Sequence, residues 1–163
     1  MQGWHTPYLG LRELPREISA FELQAFFTFS RAERELIERR RGEHHKLGLA
    51  LHIGFVRMSG RPLNSVRAVP AALLRHLGQT LDIEAPDVAS LRALYTRGRT
   101  LFDHQQQACE VLGFAWMSEH QRRALVRILR DEVAHTADRE RLLVRARHWL
   151  YEHRLIIVHE RAI

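Results

Sequence analysis

The chain has 163 residues, 25 basic against 19 acidic side chains, a net charge of +6 and 45% hydrophobic residues. That length and balance suit one folded, soluble domain, and the longest nearly apolar run, Leu47 to Val56, is about half of the ~20 residues a membrane span needs. A single cysteine, Cys109, excludes a disulfide framework and a cysteine-rich zinc site, and the amino terminus does not read as a secretion signal.

Of the 25 basic residues, 24 are arginine and one is Lys46. The planar guanidinium fork suits phosphate and the guanine edge, although a GC-rich genome produces the same ratio. The sign of the charge is the better pointer, because a basic domain is the electrostatic footprint of an anionic partner.

In chain order, Ser19 with Glu22 forms a capping-box pattern that opens a short helix through Phe21, Leu23, Phe26 and Phe27. Ser30 with Glu33 repeats it, and the next helix turns Ala32, Leu36 and Ile37 inward and ends at Arg39-Arg40-Arg41, with Gly42 as its stop. From Glu43 to Met58 the pattern is apolar nearly all round, as in a central helix, and Gly48 and Gly54 suggest close approach by a neighbour. Pro70 starts a helix over Ala72 to Leu77, and Pro86-Asp87 starts a short one through Leu94. Thr100 is expected to cap a longer helix carrying Leu101, Phe102, Ala108 and Leu112. Ser118 with Gln121 opens an amphipathic helix to Val133, Asp138 caps the last one, and Arg154 to Val158 reads as extended. The expectation is an all-α, compact bundle of about seven helices with a helix-turn-helix-like unit and a short extended C-terminal segment. It forms one domain over 1–163, with possible lobes at 14–82 and 86–158, and reads as a fragment of a larger protein.

Three constellations bear on function. Arg39, Arg40 and Arg41 with His44, His45 and Lys46 can meet phosphates along a strand, and the usual reading of such a charge run is a solvated helix end whose arginines pair with Glu35, Glu38 or Glu43. Asp87–Gly113 has the layout helix, turn, helix, with Arg99, Thr100, Asp103, His104, Gln106 and Gln107 near the start of the second helix, types that reach base edges. Ordinary helix packing gives the same spacing. Arg123, Arg127 and Arg130 share one helix face at i, i+4, i+7, and Asp131 and Glu132 are close enough in sequence to neutralise it. Enzymatic signals are thin: there is no phosphate-cradling glycine loop, no zinc-protease or nucleophile-elbow pattern, and Cys109 sits among apolar residues as an inert thiol.

The segments Ile37–Gly42, Lys46–Leu51 and Phe55–Arg61, followed by Arg97–His104 and Gln121–Leu125, together resemble the opening domain of Tn-three family transposases, from about Leu14 to Val158. The resemblance implies a helical region that binds double-stranded DNA at the terminal inverted repeats of a transposon. It implies a catalytic domain elsewhere in a dimeric protein, with two aspartates and a glutamate holding Mg²⁺, so that this part has no catalytic residue and no cofactor of its own. A bacterial, cytoplasmic, nucleoid-associated protein without a membrane segment is the matching location. On this basis phosphate contacts are expected from Arg39, Arg40, Arg41, Lys46, Arg57 and Arg61, base reading from Arg97, Arg99, Thr100 and His104, and a further DNA contact from Arg123. The alternative is a helical module for protein interaction or dimerisation that does not recognise DNA.

Overall fold

Side-chain caps set most of the helix starts. The computed structural model describes residues 3–84 and 86–158. Its helices are α1 (Ala20–Phe26), α2 (Arg31–Glu38), α3 (Glu43–Ser59), α4 (Ala71–Leu81), α5 (Val88–Leu94), α6 (Gly98–Val111), α7 (Glu119–Val133) and α8 (Arg139–Glu152). Ser19 and Ser118 close complete capping boxes with Glu22 and Gln121, and Asp87 and Asp138 cap α5 and α8. Ser30 accepts from the Glu33 amide, but the Glu33 carboxylate does not return to the cap backbone; it serves Arg57 and the Ser30 hydroxyl instead. Thr100 does not cap α6: the helix begins two residues earlier, after Arg97, and has no side-chain cap. The fold is all-helical among the described residues, with eight α-helices rather than seven, and the only strand-like feature is a parallel bridge between Ala115 and Leu155 in the extended C-terminal segment.

α3 is the axis of the molecule. Twelve of its seventeen residues are buried, and it packs most extensively against α6, then against α4, α2, α5 and α1. Its glycines admit specific side chains. A methyl at Gly48 would overlap the Tyr95 hydroxyl, and one at Gly54 would overlap the Phe27 ring, so the close approach is made by inserted aromatic groups. The main core joins α1 to α6 through residues such as Phe27, Ile53, Leu73, Leu91 and Ala108. A smaller core holds Leu125 of α7, Ala146, Trp149 and Leu150 of α8, Leu9 and Leu155. α5 and α6 bury their apolar faces on α3 within the main core, which also takes in Phe114 and Ile156. No helix among the described residues is long and apolar enough to cross a membrane.

Candidate nucleic-acid interface

The end of α2 and the first half of α6, some 60 residues apart in sequence, wall one open cleft of about 330 Å³. Arg39, Arg40, Arg41 and His45 form one side, and Thr100, Asp103, His104 and Gln107 the other. Two helices begin at its rim without a side-chain cap, α3 after Gly42 and α6 after Arg97. The positive ends of their dipoles add to the arginines, which makes the rim a favourable place for an anion.

The arginines are not equivalent. Arg40 reaches across the cleft and donates from Nη1 to Gln107 Oε1 at 3.1 Å, strapping α2 to α6, while its Nε is buried without a partner. Arg39 and Arg41 are exposed and have no carboxylate in ion-pair range among the described residues, since Glu35 pairs with Arg31 and Glu38 with Lys46. Arg97 and Arg99, at the start of α6, are likewise exposed and unpaired there, and a methyl on the intervening Gly98 would meet nothing within 4 Å. Arg39 and Arg41 thus face solvent on the cleft wall, and Arg97 and Arg99 face it at the start of α6.

Beneath the cleft lies an aromatic floor. His104, expected to read bases, is only 3% exposed; its Nδ1 lies 2.7 Å from the Tyr95 hydroxyl, and its ring meets those of His45 and His52 edge to face. Burial first, then the nearby His45 and Arg40, lowers its pKa to about 4 against the weaker opposing pull of Asp103, so at neutral pH it is an uncharged packing group. Burial also raises the Tyr95 phenol, which stays protonated. His52 is fully buried with neither ring nitrogen partnered, and desolvation with the neighbouring His104 lowers it to about 3.

The remaining sequence-derived contacts fall elsewhere. Arg57 donates to the carbonyls of Phe26 at 2.9 Å and Thr28 at 2.8 Å and pairs with the buried Glu33, so its fork holds α1 and α2 onto α3 and is not a surface phosphate contact. Arg61, half-buried, lies past the far end of α3, a 17-residue helix about 25 Å long, beside Arg12 and Arg147. Burial and then those two charges lower its pKa. Lys46 is tied to Glu38 at 3.2 Å. Arg123 pairs loosely with Glu119 at 3.8 Å and lies with Arg122, Arg127 and Arg130 along the exposed face of α7, a separate basic ridge. The expected contacts therefore do not share one side: Arg39, Arg40, Arg41, Thr100 and His104 line one cleft, Arg97 and Arg99 stand exposed at the start of the helix that walls it, and Arg57, Arg61 and Arg123 lie elsewhere.

Gln107 positions Arg40, and nothing in the sequence signals a partner 67 residues away. The inward placement of His104 does have a signal, because it is in step with Leu101 and Ala108 at i, i+3, i+7. Cys109 is buried, with its thiol raised to about 11 by burial and then by Glu110, consistent with an inert side chain.

The helical body is built round one apolar helix and carries a cationic cleft; residues 8–159 match the domain of unknown function DUF4158, and the chain is a member of that family. It is 71% identical over all 163 residues to the transposase for insertion sequence element IS1071 in transposon Tn5271 of Comamonas testosteroni, of which it spans 17%. It is 23% identical over 135 residues, 83% of the chain, to the transposase for transposon Tn1546 of Enterococcus faecium, of which that match covers 13%. The chain thus spans about one-sixth or less of the length of these relatives.

Proposed function

We propose that this chain is the DNA-binding domain of a Tn-three-type transposase and docks that protein onto the terminal inverted repeats of its transposon. The supporting observation is that the unpaired Arg39 and Arg41 line a cleft whose other wall is α6, and that the uncapped start of that helix carries the unpaired Arg97 and Arg99. Such a rim meets the phosphates of a duplex and sets its register, and the bases are read from the adjoining turn and helix. Strand cutting and joining, with Mg²⁺, is assigned to another part of a dimeric, nucleoid-associated transposase. Among the described residues no three His, Cys, Asp or Glu side chains cluster closely enough to hold a metal.

The test is binding to inverted-repeat and scrambled duplexes across a salt series. A preference for the repeat that survives at physiological salt supports the reading; equal affinity for both leaves only non-specific electrostatics and overturns it. A second reading, a protein-docking module, is favoured by one observation: Phe102 and Trp116, 61% and 68% exposed, line an apolar groove of about 330 Å³ with Pro62, Phe114 and Ile156. A tight dimer by light scattering that ignores DNA would select it.

A further inference from the structure

α6 presents a row of exposed side chains beside the cleft, of which Asp103 also lines its wall. Arg99, Phe102, Asp103 and Gln106 recur at i, i+3, i+4 and i+7 and are all exposed, whereas Gln105 is held by the Leu63 carbonyl at 2.8 Å and Asn64 at 3.0 Å, and Gln107 by Arg40. Phe102, although aromatic, stands in solvent on the crest of the helix. The crest from Arg99 to Gln106 is about 10 Å long, roughly three base-pair steps, and a single helix fits the major groove.

The chemistry of this row differs from that of the other exposed basic helix. α7 offers Arg122, Arg123, Arg127 and Arg130, a uniform set suited to phosphates alone. The α6 crest offers a bidentate cation, an aromatic face, a carboxylate and an amide, a mixture that uniform phosphates do not require and that base edges do. Arginine matches guanine O6 and N7, glutamine matches adenine N6 and N7, and phenylalanine packs on the thymine methyl. The unpaired cations Arg39, Arg41 and Arg97 flank the same helix and supply the charge complementarity that would seat it against a duplex.

Resting on the DNA-binding reading above, we propose that α6 is the groove-reading helix and that Arg99, Phe102 and Gln106 on its crest, in place of the buried His104, set base preference. Gln106 leaves its exposed contact with Glu110, at 3.2 Å, when it meets DNA.

The experiment selects duplexes from a randomised pool with the 163-residue chain, then measures binding of the selected duplex with single thymines replaced by uracil, which deletes only the 5-methyl group. The chain is expected to lose roughly fourfold at one position, the worth of one buried methyl. Phe102→Ala should bind thymine and uracil duplexes alike at that position. Arg99→Ala and Gln106→Ala should each lower discrimination at one base pair by about 5- to 150-fold. All three side chains are exposed, so unchanged thermal unfolding verifies the fold. Enrichment of a sequence whose preference is untouched by all three substitutions overturns this proposal and leaves DNA binding standing. No enrichment at all overturns both. If Phe102→Ala with Trp116→Ala abolishes a dimer seen by light scattering and leaves base preference intact, the crest belongs to a protein partner and the proposal fails.

Discussion

Two arginines on the same chain illustrate how neighbours decide what a charged residue does. Arg57 spends its donors on two carbonyls and the carboxylate of Glu33, which is itself 7% exposed. Arg57→Ala strands that carboxylate and should cost about 2–4 kcal/mol in denaturant unfolding, while the salt dependence of DNA binding by the folded fraction stays as it was. Arg41→Ala removes an exposed, unpaired charge; it should leave unfolding within about 0.5 kcal/mol and flatten the slope of log K against log salt by about 0.9. A large stability loss in the second variant, or a changed slope in the first, would reverse these assignments.

The buried histidines link residue chemistry to pH. His52 and His104 titrate near 3 and 4 in the folded chain but near 6.5 when unfolded, so below 6.5 the unfolded state binds more protons. Stability is therefore full above about pH 6.5 and falls as pH drops towards 4, with His52 alone contributing up to about 2 kcal/mol of loss between 6.5 and 5. Urea unfolding of His52→Leu should show a smaller difference between pH 7 and pH 5 than the parent chain. An unchanged difference would place the effect on other groups.

Among the elements, α3 and its partners carry the tightest tolerance. Gly54 lies against the Phe27 ring, which is 0% exposed and has no room to retreat. Gly54→Ala gains about 1 kcal/mol of helix propensity but meets ring carbons closer than real contacts allow. The overlap should win, with a net loss of about 1–3 kcal/mol and a melting temperature several degrees lower. α7 is different in kind: Leu125 is its one buried residue, and its arginines lie along a face open to solvent. Removing a single arginine there should hardly alter unfolding.

At the scale of the whole molecule, the two apolar cores are unequal. The larger unites six helices, and the smaller rests on α7, α8 and the segment around Leu155. Opening the smaller core exposes less apolar surface, so amides of α7 should exchange with deuterium well before those in the middle of α3. Uniform protection across both would show that the cores open as one cooperative unit.

The sequence by itself determined the helices: serine and aspartate caps, 3.6-residue periodicity and the all-round apolar run of α3 act within a few residues of one another, so each is readable where it stands. It also marked His104 as inward through its phase with Leu101 and Ala108, although residue type alone suggested a base reader. Only the tertiary structure decided which cations are free. Glu38 could have neutralised Arg41 but took Lys46, Glu33 took Arg57 from 24 residues away, and Gln107 took Arg40 from 67. A charge is available to a ligand only when no internal partner has claimed it, and those partners are brought into reach by the packing of α2 and α6 on α3.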